Sequence, residues 1–239
     1  MIAAECIENE LYRDEPMRFI LGCDEVGRGP LAGPVTAACV VFPHSIGADF
    51  PLFSQLNDSK KLTAAKRASL VPVIEQTAAA WAVVDLPPEE VDRLNILQAS
   101  LTAMRMAVYD VVETLKAKNL LTETQVKRRK TSLFDDNTKD KDYPLFVVVD
   151  GNKCIPDLVY PQASYVKGDA RSWSIAAASI IAKVHRDALM ADYDKIYPGY
   201  GFAKHAGYPT KFHREAIAKL GLSPIHRKSF HTHQMSSDV

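Results

Sequence analysis

Along the chain, short apolar runs of strand length alternate with longer stretches of helical period. Met17 to Glu25 and Val35 to Phe42 predict two strands, the second stopped by Pro43. Thr63 predicts the N-cap of a helix running to about Ala79, with Leu70, Val73 and Ile74 on one face. Trp81 to Leu86 predicts a third strand, closed by Pro87-Pro88. Pro88-Glu89-Glu90 supplies the proline and acids favoured in a first helical turn. From Val91 to Leu115 the apolar positions keep a helical spacing, with a break expected near Asn95.

Leu145 to Asp150 is almost wholly apolar, as expected of a strand covered on both faces. Ala163 to Val166 predicts a short further strand. Ser172 to Tyr197 predicts a helix whose Ala176-Ala177-Ala178 allows close approach to a sheet, and Thr210 to Leu220 another, stopped by Gly221. Three early strands, then helices alternating with two more strands, predict an α/β fold with a mixed sheet flanked by helices. The segment 116–143 breaks the pattern: it carries Lys127-Arg128-Arg129-Lys130 and then a mixed charge run, with little apolar periodicity. It reads as a charged surface loop, nucleic-acid contact by the basic quartet being the alternative.

With 239 residues and 47% hydrophobic content, the chain can bury a sizeable single-domain core. Its formal net charge of zero argues against wholesale electrostatic coating of nucleic acid, but the distribution is uneven. The expected organisation is an acidic N-terminal tail over 1–16, an α/β core over 17–197 and a basic helical segment over 198–239. Over residues 195–230, seven basic residues (Lys195, Lys204, Lys211, Arg214, Lys219, Arg227 and Lys228) stand against one acid, Glu215. Cys6, Cys23, Cys39 and Cys154 lack metal-site spacing and read as buried, reduced thiols of a cytoplasmic protein. No signal peptide and no apolar run of membrane-spanning length is evident.

Candidate chemistry gathers around Gly22-Cys23-Asp24-Glu25-Val26-Gly27-Arg28-Gly29-Pro30. A strand delivers two carboxylates to its end, and glycines then let main chain approach a ligand closely. Neighbours on a regular strand point to opposite faces, so Asp24 and Glu25 share a site only if the chain leaves extended geometry at about Glu25. A dinucleotide loop is the rival reading, weakened because Pro30, Pro34 and the following strand leave no helix to take a pyrophosphate. Asp150 ends an apolar strand, at the sheet edge where α/β proteins bind ligands. Asp169 is either a further site acid or a helix cap, and Asp187 is its rival, although Lys183 one turn earlier explains Asp187 as an ion pair. A pair of histidines acting as general acid and base is the alternative chemistry, but His205, His213 and His226 read as polar surface or phosphate-contact residues.

The run from Gly22 to Val35 closely resembles the signature of ribonuclease HII, the type 2 ribonuclease H of bacteria and archaea. The resemblance continues in Asn57-Asp58-Ser59-Lys60-Lys61-Leu62, Val148-Val149-Asp150-Gly151-Asn152, Val166-Lys167-Gly168-Asp169, Ala177 to Asp187, Tyr200 to Thr210 and His226 to Phe230. It implies a ribonuclease H-like mixed five-stranded sheet with a helical C-terminal part. It also implies four metal-binding and catalytic acids, Asp24, Glu25, Asp150 and Asp169, the last preferred to Asp187 on the Val-Lys-Gly-Asp match. Converging carboxylates repel unless cations offset them, and hard oxygen donors suit Mg²⁺ or Mn²⁺ in a two-metal site. The expected substrates are RNA–DNA hybrids and duplex DNA containing ribonucleotides, cut 5′ to the ribonucleotide. Gly27, Arg28, Gly29, Lys60, Lys183 and Tyr208 are the expected substrate-binding residues, with Tyr208 stacking on the next deoxyribose. The resemblance favours type 2 over type 3, since about 16 residues precede the first strand and the fourth acid is an aspartate. Ala206 departs from the pattern, where relatives commonly carry a second lysine. A monomer without a sliding-clamp motif at its C-terminus is expected. A catalytically silent nucleic-acid-binding module is the competing reading, and the joint presence of all four acids argues against it.

Overall fold

The computed structural model describes residues 6–14, 18–47, 49–56, 62–122 and 144–231. The strands are β1 (Phe19–Val26), β2 (Val35–Val41), β3 (Ala80–Leu86), β4 (Leu145–Asp150) and β5 (Gln162–Tyr165). They form one sheet in the order β3-β2-β1-β4-β5, with β1–β2 and β2–β3 antiparallel and β1–β4 and β4–β5 parallel. The helices are α1 (Ile7–Asp14), α2 (Ala64–Thr77), α3 (Pro88–Leu94), α4 (Ile96–Ala117), α5 (Trp173–Ile196), α6 (Phe202–His205), α7 (Lys211–Leu220) and α8 (Lys228–His231). The expected mixed five-stranded sheet with flanking helices is what the chain forms.

Strand β2 is buried at every position, and its two sets of alternate side chains enter different cores. Val35, Ala37, Cys39 and Val41 join Leu21, Cys23 and the α4 residues Met104, Val108 and Val111 on one face. Ala38 and Val40 join Leu70 and Ile74 of α2 and the Ala176–Ala178 run of α5 on the other. That double burial explains why the strand reads as continuously apolar. Helix α5 lies close on β1 because Gly22 has no side chain there: a Cβ would sit 2.2 Å from the Ser174 carbonyl carbon. Val73, expected beside Leu70 and Ile74 on the buried face of α2, is instead exposed. The long helical region does break at Asn95, whose φ of 65° ends α3 and whose side chain accepts from the N–H groups of Leu97 and Gln98 to start α4.

Residues 7–14 of the expected acidic tail are a docked helix. Glu8 is almost fully buried and accepts from Ser172 Oγ at 2.7 Å and from Ser174 N–H at 2.9 Å. A carboxylate therefore sits at the N-terminus of α5, where the unpaired amides and the helix dipole favour negative charge. Ile7 packs with Ile20, Phe146, Val148 and Ile175, so acidity at neighbouring positions conceals an apolar stripe. Cys6, Cys23 and Cys39 are buried free thiols as expected, whereas Cys154 is exposed in the loop after β4. Lys60 and the basic quartet Lys127–Lys130 lie outside the described residues. Among the described residues no helix is long and apolar enough to cross a membrane.

Candidate active site

The pairing of β1 with β4 stops at Cys23↔Val149, while its pairing with β2 continues to Val26↔Thr36. Asp24 to Val26 therefore stay in extended geometry with one edge open. This differs from the departure expected at Glu25: the splay between β1 and β4, not a kink, admits both acids to one cleft. The cleft, of about 350 Å³, is lined by Asp24, Glu25, Val26, Arg67, Asp150, Ser179, Lys183 and Tyr208.

Each acid is held by main-chain donors. Asp24 Oδ1 accepts from the Glu25 N–H at 2.7 Å, and the Ser179 hydroxyl also bonds this carboxylate. Asp150 Oδ1 accepts from the Gly168 N–H at 2.7 Å and from the Asp169 N–H at 3.4 Å. Burial raises the pKa of Asp24 well above the ordinary carboxylate range, and the charges of Glu25 and Asp150 push it the same way. Burial also raises Glu25, partly offset by Arg28, whose Nη1 donates to Glu25 Oε1 at 3.3 Å. One buried and two half-buried carboxyls crowd like charge together, and oxygen donors of this kind suit a hard divalent cation. Among the described residues no three His, Cys, Asp or Glu side chains converge into a ready metal-holding cluster.

The other expected residues are placed as follows. Lys183 lines the cleft and pairs with Asp187 at 2.7 Å, so Asp187 is occupied by the ion pair that its spacing implied. Asp169 sits on a one-turn 3₁₀ helix, Gly168–Ala170. It is 8% exposed, and its N–H donates to Asp150 Oδ1 at 3.4 Å. Asp169 is not among the cleft-lining residues, and Ser172, not Asp169, caps α5. Arg28 is exposed at the cleft rim. Gly27 has a φ of +90°, which bulkier residues rarely adopt, and a Cβ there would lie 2.3 Å from Arg186 Nε. Gly29 is different: a Cβ would meet only the Tyr208 ring, at 3.4 Å. Protein packing alone does not demand glycine at that position.

Several residues at the site carry roles that the sequence did not reveal. Arg67 reaches the cleft from α2, its Nη1 donating to the Leu62 carbonyl at 2.6 Å, and nothing in its spacing marks it. Ser179, Arg186 and Arg227 lie inside motif runs, but their roles need the tertiary structure. Arg227, grouped with the basic face, is wholly buried, and so is Arg186. Arg186 donates to the carbonyls of Ala32, Pro34 and Ala206. His213 and His226, expected at the surface, are buried too, because they form a linked pair, Nε2 to Nε2 at 3.1 Å. His213 Nδ1 lies 2.9 Å from the Tyr208 carbonyl oxygen, and His205 stacks on the His213 ring at 4.4 Å. These imidazoles pack with Phe202 beneath the Tyr208 loop, away from the carboxylates.

Comparison with known proteins points one way. The family model for ribonuclease HII matches residues 21–233. A ribonuclease HII of Chlorobium chlorochromatii is 46% identical over 232 residues, covering 95% of this chain and 98% of that protein. The ribonuclease H2 of Pyrococcus horikoshii superposes with a TM-score of 0.63 at 24% identity, covering 91% of this chain and 96% of that one. Bst ribonuclease HIII, solved in complex with Mn²⁺, gives a TM-score of 0.57 at 17% identity, covering 86% and 63%. At these identities the two solved structures establish the ribonuclease H-like fold.

Proposed function

This chain belongs to the ribonuclease HII family and is a ribonuclease, a hydrolase; from that premise we propose that it cuts the RNA strand of RNA–DNA hybrids and incises duplex DNA on the 5′ side of embedded ribonucleotides. The observation that carries the proposal is the single cleft onto which Asp24, Glu25 and Asp150 open, with Lys183 and Tyr208 on its walls. In this reading Asp24, Glu25 and Asp150 hold divalent cations, Mg²⁺ or Mn²⁺, with Asp169 as the fourth acid. The Mn²⁺ complex of Bst ribonuclease HIII is in keeping with that donor chemistry. Cations held by these acids would supply acidification of an attacking water and charge neutralisation at the leaving oxygen, consistent with 3′-hydroxyl and 5′-phosphate products.

The chain's own residues supply position and selectivity. Lys183, fixed by Asp187, faces the cleft as a phosphate contact, and Arg28 does so from the rim. Lys60 is assigned to the same task from its motif. The amides of the Gly27-Arg28-Gly29 turn recognise the 2′-hydroxyl, the group that distinguishes RNA from DNA. Tyr208, 42% exposed beside Gly29, offers its ring face to the next deoxyribose. The setting is cytoplasmic ribonucleotide removal from DNA, by a monomer.

The test is incubation with a duplex containing one embedded ribonucleotide, with and without Mg²⁺, followed by mapping of the ends. Cleavage is expected only with the metal and only on the 5′ side of the ribonucleotide. Tyr208→Ala should lose most of this activity and should narrow the gap between that substrate and a continuous hybrid. Binding without cleavage in any divalent metal would instead favour a silent binding module.

A further inference from the structure

Arg227 is fully buried, and no carboxylate among the described residues lies within ion-pair distance of it. The carboxylate whose charge acts on it is Asp92, whose oxygens are engaged by the Lys228 and Ser229 N–H groups and the Ser229 hydroxyl. What Arg227 holds is the underside of the glycine turn. Its Nη2 donates to the Gly27 carbonyl at 2.6 Å, its Nη1 to those of Arg28 at 3.1 Å and Pro30 at 2.9 Å, and its Nε to that of Gly33 at 2.9 Å. Its own N–H donates to the Leu31 carbonyl at 2.8 Å. The guanidinium lies over the Phe230 ring, 5.1 Å from its centroid.

The consequence follows from peptide geometry. In a planar trans peptide the C=O of one residue and the N–H of the next point in opposite directions. Holding the Gly27 and Arg28 carbonyls towards Arg227 therefore turns the N–H groups of Arg28 and Gly29 away from it. Among the described residues no protein acceptor meets either N–H. Gly29 borders Tyr208, which lines the cleft, so the turn that carries this pair of amides lies beside the cleft. A fork of five donors can hold several carbonyls at once, whereas a lysine ammonium on a flexible stem cannot hold them in fixed directions.

We propose that Arg227 is a positioning residue for ribonucleotide recognition: it fixes the carbonyls of Gly27 and Arg28 so that the next two amides stand ready for the 2′-hydroxyl. The proposal rests on the substrate reading given above. It also assigns the His-Arg-Lys-Ser-Phe run at 226–230 a function, with Phe230 as the platform that holds the guanidinium in place beneath the turn.

The test measures single-turnover cleavage of a duplex with one embedded ribonucleotide, together with inhibition by the same duplex made wholly of DNA. Arg227→Lys should lower the saturating rate at least about 30-fold, leaving inhibition by plain DNA within about twofold of the unaltered protein. Leu115→Ala, a core truncation in α4, provides a destabilised control whose rate should stay within about twofold. Should Arg227→Lys fail to fold, Phe230→Leu decides, with a three- to tenfold fall expected. The proposal is overturned if folded Arg227→Lys cleaves within about threefold of the unaltered protein, if Leu115→Ala falls equally, or if Phe230→Leu is unchanged. An unaltered protein that cannot cut at the ribonucleotide at all would overturn the substrate reading itself, and this proposal with it.

Discussion

On the two sides of its glycine turn, this molecule buries charge in two opposite ways. Asp24 and Glu25 at the end of β1 sit beside Asp150, and burial and repulsion push Asp24 towards its neutral form. Beneath the glycine turn that follows, Arg186 and Arg227 are equally buried, yet their donors are consumed by backbone carbonyls. The arginines spend their donors on neutral carbonyls, whereas the carboxylates crowd like charge together and only Glu25 is paired, with Arg28. Burial of charge therefore does not by itself mark a catalytic group. The mark is buried charge whose neighbours leave its balance incomplete.

The contrast is broken most sharply by neutralising an acid. Asp24→Asn and Asp150→Asn keep the shape and remove a charge that holds the cations. If each loses about 4 kcal/mol of transition-state stabilisation, cleavage falls about a thousandfold. The same Asp24→Asn change relieves repulsion, so the metal-free protein should gain about 1 kcal/mol in stability, read as a higher Tm. A variant that is slow and also less stable would mean that Asp24 is structural.

A middle-sized effect separates the two glycines of the turn. Gly27→Ala puts a Cβ against Arg186 at a φ of +90°, and should cost about 1–3 kcal/mol of stability. Gly29→Ala has room beside Tyr208, so its Tm should hold while ribonucleotide cleavage falls about 10- to 100-fold. If Gly29→Ala cleaves normally, the turn does not approach the substrate as closely as proposed.

The sequence made the backbone plan legible because periodicity, prolines and caps act locally. Asn95 at the helix break and the apolar Leu145–Val149 run were readable in that way. Asp24, Glu25 and Asp150 could be placed at strand ends, but their sharing of one cleft depends on where β1 and β4 part, which is a matter of register between distant segments. Arg227 was misread because a surface arginine and a buried one look alike in sequence. Only contacts across about two hundred residues, to Gly27 and Arg28, reveal that its charge is spent on carbonyls. His213 and His226 fail for the same reason, since each is buried by the other. The acidity of residues 1–16 concealed Ile7 and Glu8, whose partners Ile175, Ser172 and Ser174 lie far along the chain.

The smallest expected effect concerns a third arrangement, in which opposite charges satisfy each other. His185 on α5 meets Asp85 at the end of β3, Nε2 to Oδ2 at 2.7 Å, and the other Asp85 oxygen accepts from the Thr36 hydroxyl. The hydrogen bond to Asp85 raises the pKa of His185, while His185 and Thr36 overcome burial to lower that of Asp85. A raised histidine contributes stability that is fully present below its unfolded value of about 6.5 and is lost as pH climbs through the higher folded value. A lowered aspartate contributes stability present above about 3.9 and lost as pH falls through the folded value. The pair is therefore worth most between about pH 4 and pH 6.5. His185 is 44% exposed, so solvent screening holds its contribution to a few tenths of a kcal/mol. Comparing Tm for the unaltered protein and His185→Gln at pH 6 and pH 8 reads it directly: the unaltered protein should lead at pH 6, and the lead should shrink at pH 8. A lead that grew with pH would mean that His185 is held neutral, and that this edge of the sheet leaves its charges as unbalanced as the cleft does.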